Sequence, residues 1–309
     1  MKKHAVWIIA AVLLIGYVIF GLIYTSDRAE RLISYSGNKK VAMINIEGEI
    51  AGTRHILELL NHFGEMDAVK AIILRINSPG GGVGASQEVY RQVLKVREKG
   101  KVVVSSMSDM GASGAYYIAA ASDKIYANPG TITGSIGVLV NFFNAEKLLD
   151  KIGVSYTTIK SGKFKDVGSF SRPTTEKEKA MLKSLVTDVL NQFVDAVIDN
   201  RQVQLEEAFA VNIKDEKKKR AKIKKLVLDR IADGRIVTGM EAKKLGLVDE
   251  LGNIDDAIEG AAEMVGIRGR PYVISERKRG GLQAWINSKI DKISSIKEET
   301  GFSVKYLLK

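Results

Sequence analysis

The sequence predicts an α/β fold of repeated βαβ units preceded by one N-terminal transmembrane helix, and three observations carry that expectation. Continuous apolar runs of strand length, such as Ala71-Ile-Ile-Leu-Arg-Ile, are what strands buried on both faces of a parallel sheet require. Such runs alternate with segments of helical periodicity, the pattern of βαβ units. Ala5 to Thr25 is an uninterrupted stretch without a charge, long enough to cross a bilayer as a helix.

In chain order, residues 1–26 are expected to form a cytoplasmic stub and anchor. The apolar run ends in bulky Leu22, Ile23 and Tyr24 rather than in a small-x-small cleavage site, which favours an uncleaved anchor over a secretory signal. Lys2 and Lys3 before it place the N-terminus in the cytoplasm and residues 27–309 outside it. Residues 27–40 are a polar linker, 41–264 the folded domain and 265–309 a C-terminal tail. Within the domain, Val41 to Glu47 predicts the first strand, 56–66 a helix, 71–76 a strand, 86–99 a helix, 101–106 a strand and 112–121 a helix. Ser155 to Ile159 predicts a shorter strand. Pro173 and a threonine cap open a long helix over about residues 175–200, and 234–252 holds a short helix and a strand.

Composition excludes several chemistries. The 309 residues contain no cysteine, so disulfides, thiolate catalysis and zinc–cysteine sites are absent. No His/Asp cluster has ligand spacing, and no Gly-Lys-Ser/Thr follows the glycines, so no metal or cofactor is expected. The net charge of +11 is concentrated partly in Lys214 to Lys225, where eight of twelve residues are basic. A solvated helical face is the default reading, with anionic lipid head groups as the functional alternative. Nucleic acid is not expected, because no aromatic residues interleave the run.

The stretch Asp109 to Val138 holds three serines beside small residues and no histidine. The chain has only His4, His55 and His62; the first lies on the cytoplasmic side, and the other two flank an amphipathic helix where surface positions are expected. A Ser-His-Asp triad is therefore disfavoured, and lysine is the remaining base. Ser113 sits where a nucleophile needs to be, at a strand-to-helix junction between Gly111-Ala112 and Gly114-Ala115. A plain helix cap is the competing reading, and from this stretch alone the safer one. Asn77-Ser-Pro-Gly-Gly-Gly shifts the balance: a strand ending in glycines leaves backbone amides accessible to an oxyanion or to an extended peptide.

Asn77-Ser-Pro-Gly-Gly, Gly111-Ala-Ser-Gly-Ala-Tyr-Tyr-Ile-Ala, Thr133-Gly-Ser-Ile-Gly-Val, Lys160-Ser-Gly-x-x-Lys-Asp and Asp233-Gly-Arg-x-x-Thr-Gly, continued to Gly246-Leu-Val-Asp, occur in order over about residues 40–255. Together these blocks resemble the signal peptide peptidase A family of membrane serine proteases, peptidase family S49, in its short single-repeat form. The resemblance implies the Clp protease/crotonase fold and a Ser-Lys dyad. Ser113 matches the nucleophile, Lys165 the general base, and Ser135 a serine that orients the lysine; Gly114 and Gly80 or Gly81 are assigned to the oxyanion hole. A lysine base must be brought several units below about 10.4, which requires an enclosed site. Lys160 and Lys163 could add like-charge repulsion, with solvated surface the bland reading for both.

The family resemblance further implies homo-oligomeric rings in which the serine and lysine of one site come from adjacent subunits, standing on membrane lipid and receiving signal peptides or other extended apolar peptides. The end of the chain, Gly301 to Lys309, alternates apolar and polar residues like a strand; it is expected either to occupy the binding groove as a regulator or to be an inert tail. Rival readings are an S49 protease acting on other membrane or cell-envelope proteins, a non-catalytic membrane scaffold of the same fold, and a crotonase-type acyl-CoA enzyme.

Overall fold

The computed structural model describes residues 39–275 and the backbone of residues 305–307. The expected anchor, the linker up to residue 38 and most of the tail lie outside the described residues. Among the described residues no helix is long and apolar enough to cross a membrane.

The elements run β1 (Lys40–Glu47), α1 (Arg54–Glu65), β2 (Val69–Ser78), β3 (Gly80–Gly82), α2 (Val83–Glu98), β4 (Val102–Ala112) and α3 (Gly114–Ala120). They continue with β5 (Lys124–Ala127), β6 (Ile132–Gly134), α4 (Glu146–Lys151), α5 (Glu176–Ala208), α6 (Glu216–Arg230) and β7 (Ile236–Thr238). The last are α7 (Gly239–Lys244), β8 (Glu250–Leu251), α8 (Ile254–Met264), β9 (Tyr272–Ser275) and β10 (Lys305–Leu307). The main sheet has the order β7-β6-β4-β2-β1-β9, with β5 pairing both β4 and β8. All of its pairings are parallel except β6 with β7. This is the mixed α/β fold with a parallel sheet that the alternating pattern predicts.

The continuous apolar strands are explained by burial on both faces. Ile72, Leu74 and Ile76 of β2 join Ile44, Ile46 and Val103 in the large core under the helices. The alternate residues Ala71 and Ile73 face the opposite way with Val41 and Val104 and are covered by Ala257 and Ala261 of α8. Each such buried Ile, Leu or Val contributes roughly 1.5–3 kcal/mol, which is why a strand with no polar face is stable here.

Three segments differ from expectation. Ser155 to Ile159 forms no strand: the segment has no partner in either sheet, and Ile159 is 98% exposed. A segment without a neighbouring backbone has nothing to satisfy its amides as a strand. The long helix does not stop near residue 200. It kinks at Arg201 (φ −123°, ψ 18°) and runs on to Ala208. Finally, the sheet continues past residue 264, because β9 pairs in parallel with Lys40 to Met43 of β1.

The kink has a visible cause. The Arg201 side chain is 1% exposed and donates two hydrogen bonds to Asp249, at 2.7 and 2.8 Å, and two to the Gly246 carbonyl. Asp249 also accepts from the Ile125 amide of β5, so one carboxylate ties the helix to the sheet. The Gly246-Leu-Val-Asp motif is thus a structural anchor. Much of the basic run belongs to α6, where Arg220 and Lys224 pair with Asp195 and Asp199 of α5, and Lys219 with Glu206 and Glu216. Part of that charge is therefore used in packing two helices together.

Candidate active site

Ser113 connects β4 to α3 with φ 54° and ψ −119°, a conformation that a non-glycine residue adopts only under constraint, at a cost of about 1–3 kcal/mol. Its amide donates to the Gly134 carbonyl at 2.9 Å, and its carbonyl accepts from Tyr117, which starts the helix. The side chain makes no capping bond, so the helix-cap reading fails. Small residues hold the turn in place: a Cβ on Gly111 would lie 2.4 Å from Met107 Sδ. The amide of Gly114 opens α3, where helical geometry leaves the first amides without intrahelical acceptors.

Ser135 stands beside Ser113. Ala112 and Gly134 are register partners in parallel strands β4 and β6, so each serine is the first residue past a paired position. Ser135 also has positive φ (50°), is buried, and donates its amide to the Arg235 carbonyl at 2.8 Å.

The glycine strand β3 runs along Ile50. The Ile50 amide donates to the Gly80 carbonyl at 2.8 Å, and the Gly82 amide donates to the Ile50 carbonyl at 2.9 Å. Alternation along a strand therefore turns the N–H and C=O of Gly81 to the other edge. That edge is occupied by β10 of the same chain, antiparallel, with Tyr306 opposite Gly81 and Leu307 opposite Gly80. Only glycine fits at 81, since a Cβ there would meet the Ile50 carbonyl oxygen at 2.2 Å. The Gly80 amide, by contrast, already donates to Ser78 Oγ at 3.1 Å.

Lys165 is placed differently from the serines. It lies on the turns between α4 and α5, its side chain exposed, its amide donating to the Gly162 carbonyl. Among the described residues no hydrogen bond or ion pair joins it to Ser113 or Ser135. Lys160 is not a bare like charge: it donates to Asp166, the residue after Lys165. Asp166 also accepts two bonds from Arg172, at 2.9 and 2.7 Å, and Arg172 in turn makes two to Glu178, at 3.0 and 2.6 Å. Arg172 first, then Lys160, hold the Asp166 carboxyl far below the usual carboxylate range. This cluster was not foreseen, although the Lys-Asp pair and the Thr175-x-x-Glu178 capping box were both visible in the sequence. Lys163 is exposed, with its ammonium over the Phe164 ring.

His55 and His62 are exposed on α1, the surface placement expected of them. Among the described residues no group of His, Asp and Glu side chains could hold a metal ion.

Comparison with known proteins identifies the family. The sequence profile of Peptidase family S49 matches residues 95–216 and 213–268, and that of Clp protease matches residues 27–131. A provisionally named protease of Synechocystis sp. is 42% identical over 75% of this chain and 76% of its own. A provisionally named signal peptide peptidase SppA of Enterococcus faecium is 29% identical over 89% of this chain and 81% of its own. A chloroplastic serine protease SPPA of Arabidopsis thaliana is 30% identical over 75% of this chain and 33% of its own. The chain belongs to peptidase family S49 and is a protease of the serine type.

Proposed function

We propose that the protein is a membrane-anchored endopeptidase that degrades cleaved signal peptides and other extended apolar peptides, with Ser113 as nucleophile and Lys165 as general base. The observation that carries this reading is the Ser113 backbone: a buried serine held at φ 54° at the end of a parallel strand, with a side chain that caps nothing. A strained turn of this kind presents a hydroxyl to substrate at the top of an α/β sheet.

The neutral Lys165 amine takes the Ser113 proton as Oγ adds to the scissile carbonyl. The oxyanion is held by the amides of Gly114 and Gly81, while Gly80 is disfavoured by its bond to Ser78. Collapse breaks the C–N bond, the proton passes from Lys165 to the leaving amine, and water hydrolyses the Ser113 ester with the same lysine as base. Ser135, beside Ser113, orients the lysine.

An exposed lysine is protonated at neutral pH, so the base needs cover that the single chain does not supply. The segment around it also exposes Phe143, Leu148, Ile152, Tyr156 and Ile159. An apolar surface of that extent supports docking against a second copy, which would desolvate Lys165 and bring it to that copy's Ser113. The proposed assembly is a homo-oligomeric ring on the membrane, its anchor formed by Ala5 to Thr25 and its peptidase domain outside the cytoplasm. Substrate lies along β3 as an added strand, in the place that β10 takes.

The test is cleavage of a fluorogenic apolar peptide by the full-length chain in detergent, comparing wild type, Ser113→Ala, Lys165→Ala and an equimolar mixture of the two variants. Each single variant is expected to lose activity by about a thousandfold or more, and the mixture to recover part of it. Wild-type rates in either single variant would remove the dyad, and no recovery on mixing would remove the shared site.

A further inference from the structure

Asp166 follows Lys165 directly, and both of its carboxylate oxygens are occupied. Oδ1 accepts from Lys160 and Arg172, and Oδ2 accepts from Arg172. Arg172 reaches the other way to Glu178, a side chain 2% exposed on the first turn of α5, whose carboxylate also accepts from the Thr175 amide and hydroxyl. We infer that Arg172 is a positioning residue for the general base: it clamps the loop carrying Lys165 to the N-terminus of α5 and keeps Asp166 from pairing with the Lys165 ammonium. The inference rests on reading Lys165 as the base.

The geometry supports both parts. Near Lys165 the loop has little else to hold it: its backbone there is closed by short turns such as Val167 to Phe164 and Ser169 to Asp166, residues 161–165 are exposed, and the next backbone tie is the Phe170 carbonyl accepting from the Ala145 amide. Placement of Lys165 therefore depends on a rigid attachment at Asp166. Arg172 is suited to that, because a planar guanidinium can present two donors to each of two carboxylates at once, which an ammonium cannot. Glu178 in turn is fixed by the capping box with Thr175.

The electrostatic part follows from Asp166 being the adjacent carboxylate. A carboxylate beside an ammonium favours its charged form and so removes the base near neutral pH. A shallow cleft beside Arg172 is lined by the charged groups Lys160, Lys163, Arg172, Glu176, Lys177 and Glu178. With Arg172 in place, both oxygens of Asp166 are engaged by cations. Without it, Oδ2 loses its partner one residue along the chain from Lys165.

The experiment compares full-length Arg172→Ala, Arg172→Lys and Lys165→Ala with wild type, measuring kcat, KM and the pH dependence of kcat/KM. Arg172→Ala is expected to lower kcat by about tenfold to a hundredfold with little change in KM. It should also move the ascending limb of the pH profile to higher pH, because a released carboxylate favours the charged form of a neighbouring ammonium. Arg172→Lys should return the limb toward its wild-type position while leaving kcat low, since it restores the charge without the fork. Wild-type kcat and limb position in Arg172→Ala would overturn the inference. Should that variant not fold, wild-type kcat in Arg172→Lys would overturn it instead. Activity surviving in Lys165→Ala would strike the dyad itself, a failure distinct from that of the clamp.

Discussion

Ser113 and Ser135 leave the sheet side by side: Ala112 and Gly134, the residues before them, are paired in parallel strands, and both serines have φ near +50°. The Ser113 amide bonds to the Gly134 carbonyl, so the two turns form one unit. Two strained, buried serines in adjacent turns are costly to the fold, which is the usual mark of a position kept for its chemistry.

Gly81 carries the edge on which an extended peptide would lie. Substituting alanine would put a Cβ 2.2 Å from the Ile50 carbonyl oxygen and push β3 off its cradle. Gly81→Ala is expected to lower kcat/KM by about tenfold or more through misplacement of that edge. Kinetics together with thermal melting check this, and an unchanged kcat/KM in a folded variant would show that β3 does not bind substrate.

The pairing of β10 with β3 places residues 305–307 where the proposed substrate would bind. A tethered segment competes at an effective concentration on the order of mM, so deleting residues 302–309 should lower the apparent KM for peptide. A synthetic peptide of residues 301–309 should then inhibit the shortened protein. Cleavage that is unaffected by both would make the tail inert.

Arg201 and Asp249 form an ion pair at the kink of α5, with Arg201 fully enclosed. Arg201→Met leaves Asp249 without its guanidinium, and Asp249→Ala leaves a buried cation unpaired. Each should cost about 3–5 kcal/mol of stability, read from urea unfolding, with the larger loss for Asp249→Ala. A loss within about 0.5 kcal/mol, the range of a surface substitution, would contradict the anchoring role of the Gly246-Leu-Val-Asp motif.

Acid should release the Arg172 cluster. The Arg172 guanidinium and then the Thr175 amide hold Glu178 down from 4.5 to about 2, and Asp166 is lowered in the same direction. Groups with depressed folded-state pKa values stabilise the fold fully above their unfolded values and lose that contribution as pH falls through the folded ones. Between about pH 5 and 2, wild type should therefore lose more stability than Arg172→Met, in which the pairs are already absent. Asp233, held at about 2 by Arg235, is common to both proteins and cancels. Parallel melting curves against pH for the two would show that these pairs contribute nothing.

Much of this site was legible in the sequence because its signals are local. A serine between Gly111-Ala112 and Gly114-Ala115, and a strand ending in Gly80-Gly81-Gly82, announce turns that only small residues permit. The Arg172 cluster was legible only in fragments, since a lysine, an aspartate, an arginine and a glutamate spaced along a loop become one unit only when the loop folds back on α5. Ser155 to Ile159 misled for the opposite reason: a strand-like pattern says nothing about whether a partner strand is within reach.

By itself the sequence determined the α/β class, the lack of thiol chemistry, the absence of a suitably placed histidine and the serine at the strand-to-helix junction, all consequences of residue type and near-neighbour spacing. Tertiary structure alone decided that Ser113 is strained rather than a cap, that Gly81 turns its backbone groups away from Ile50, that β10 lies on that edge, and that Lys165 is exposed. Those are relations between residues far apart in the chain, and they depend on which backbone groups each strand has already satisfied with its neighbours.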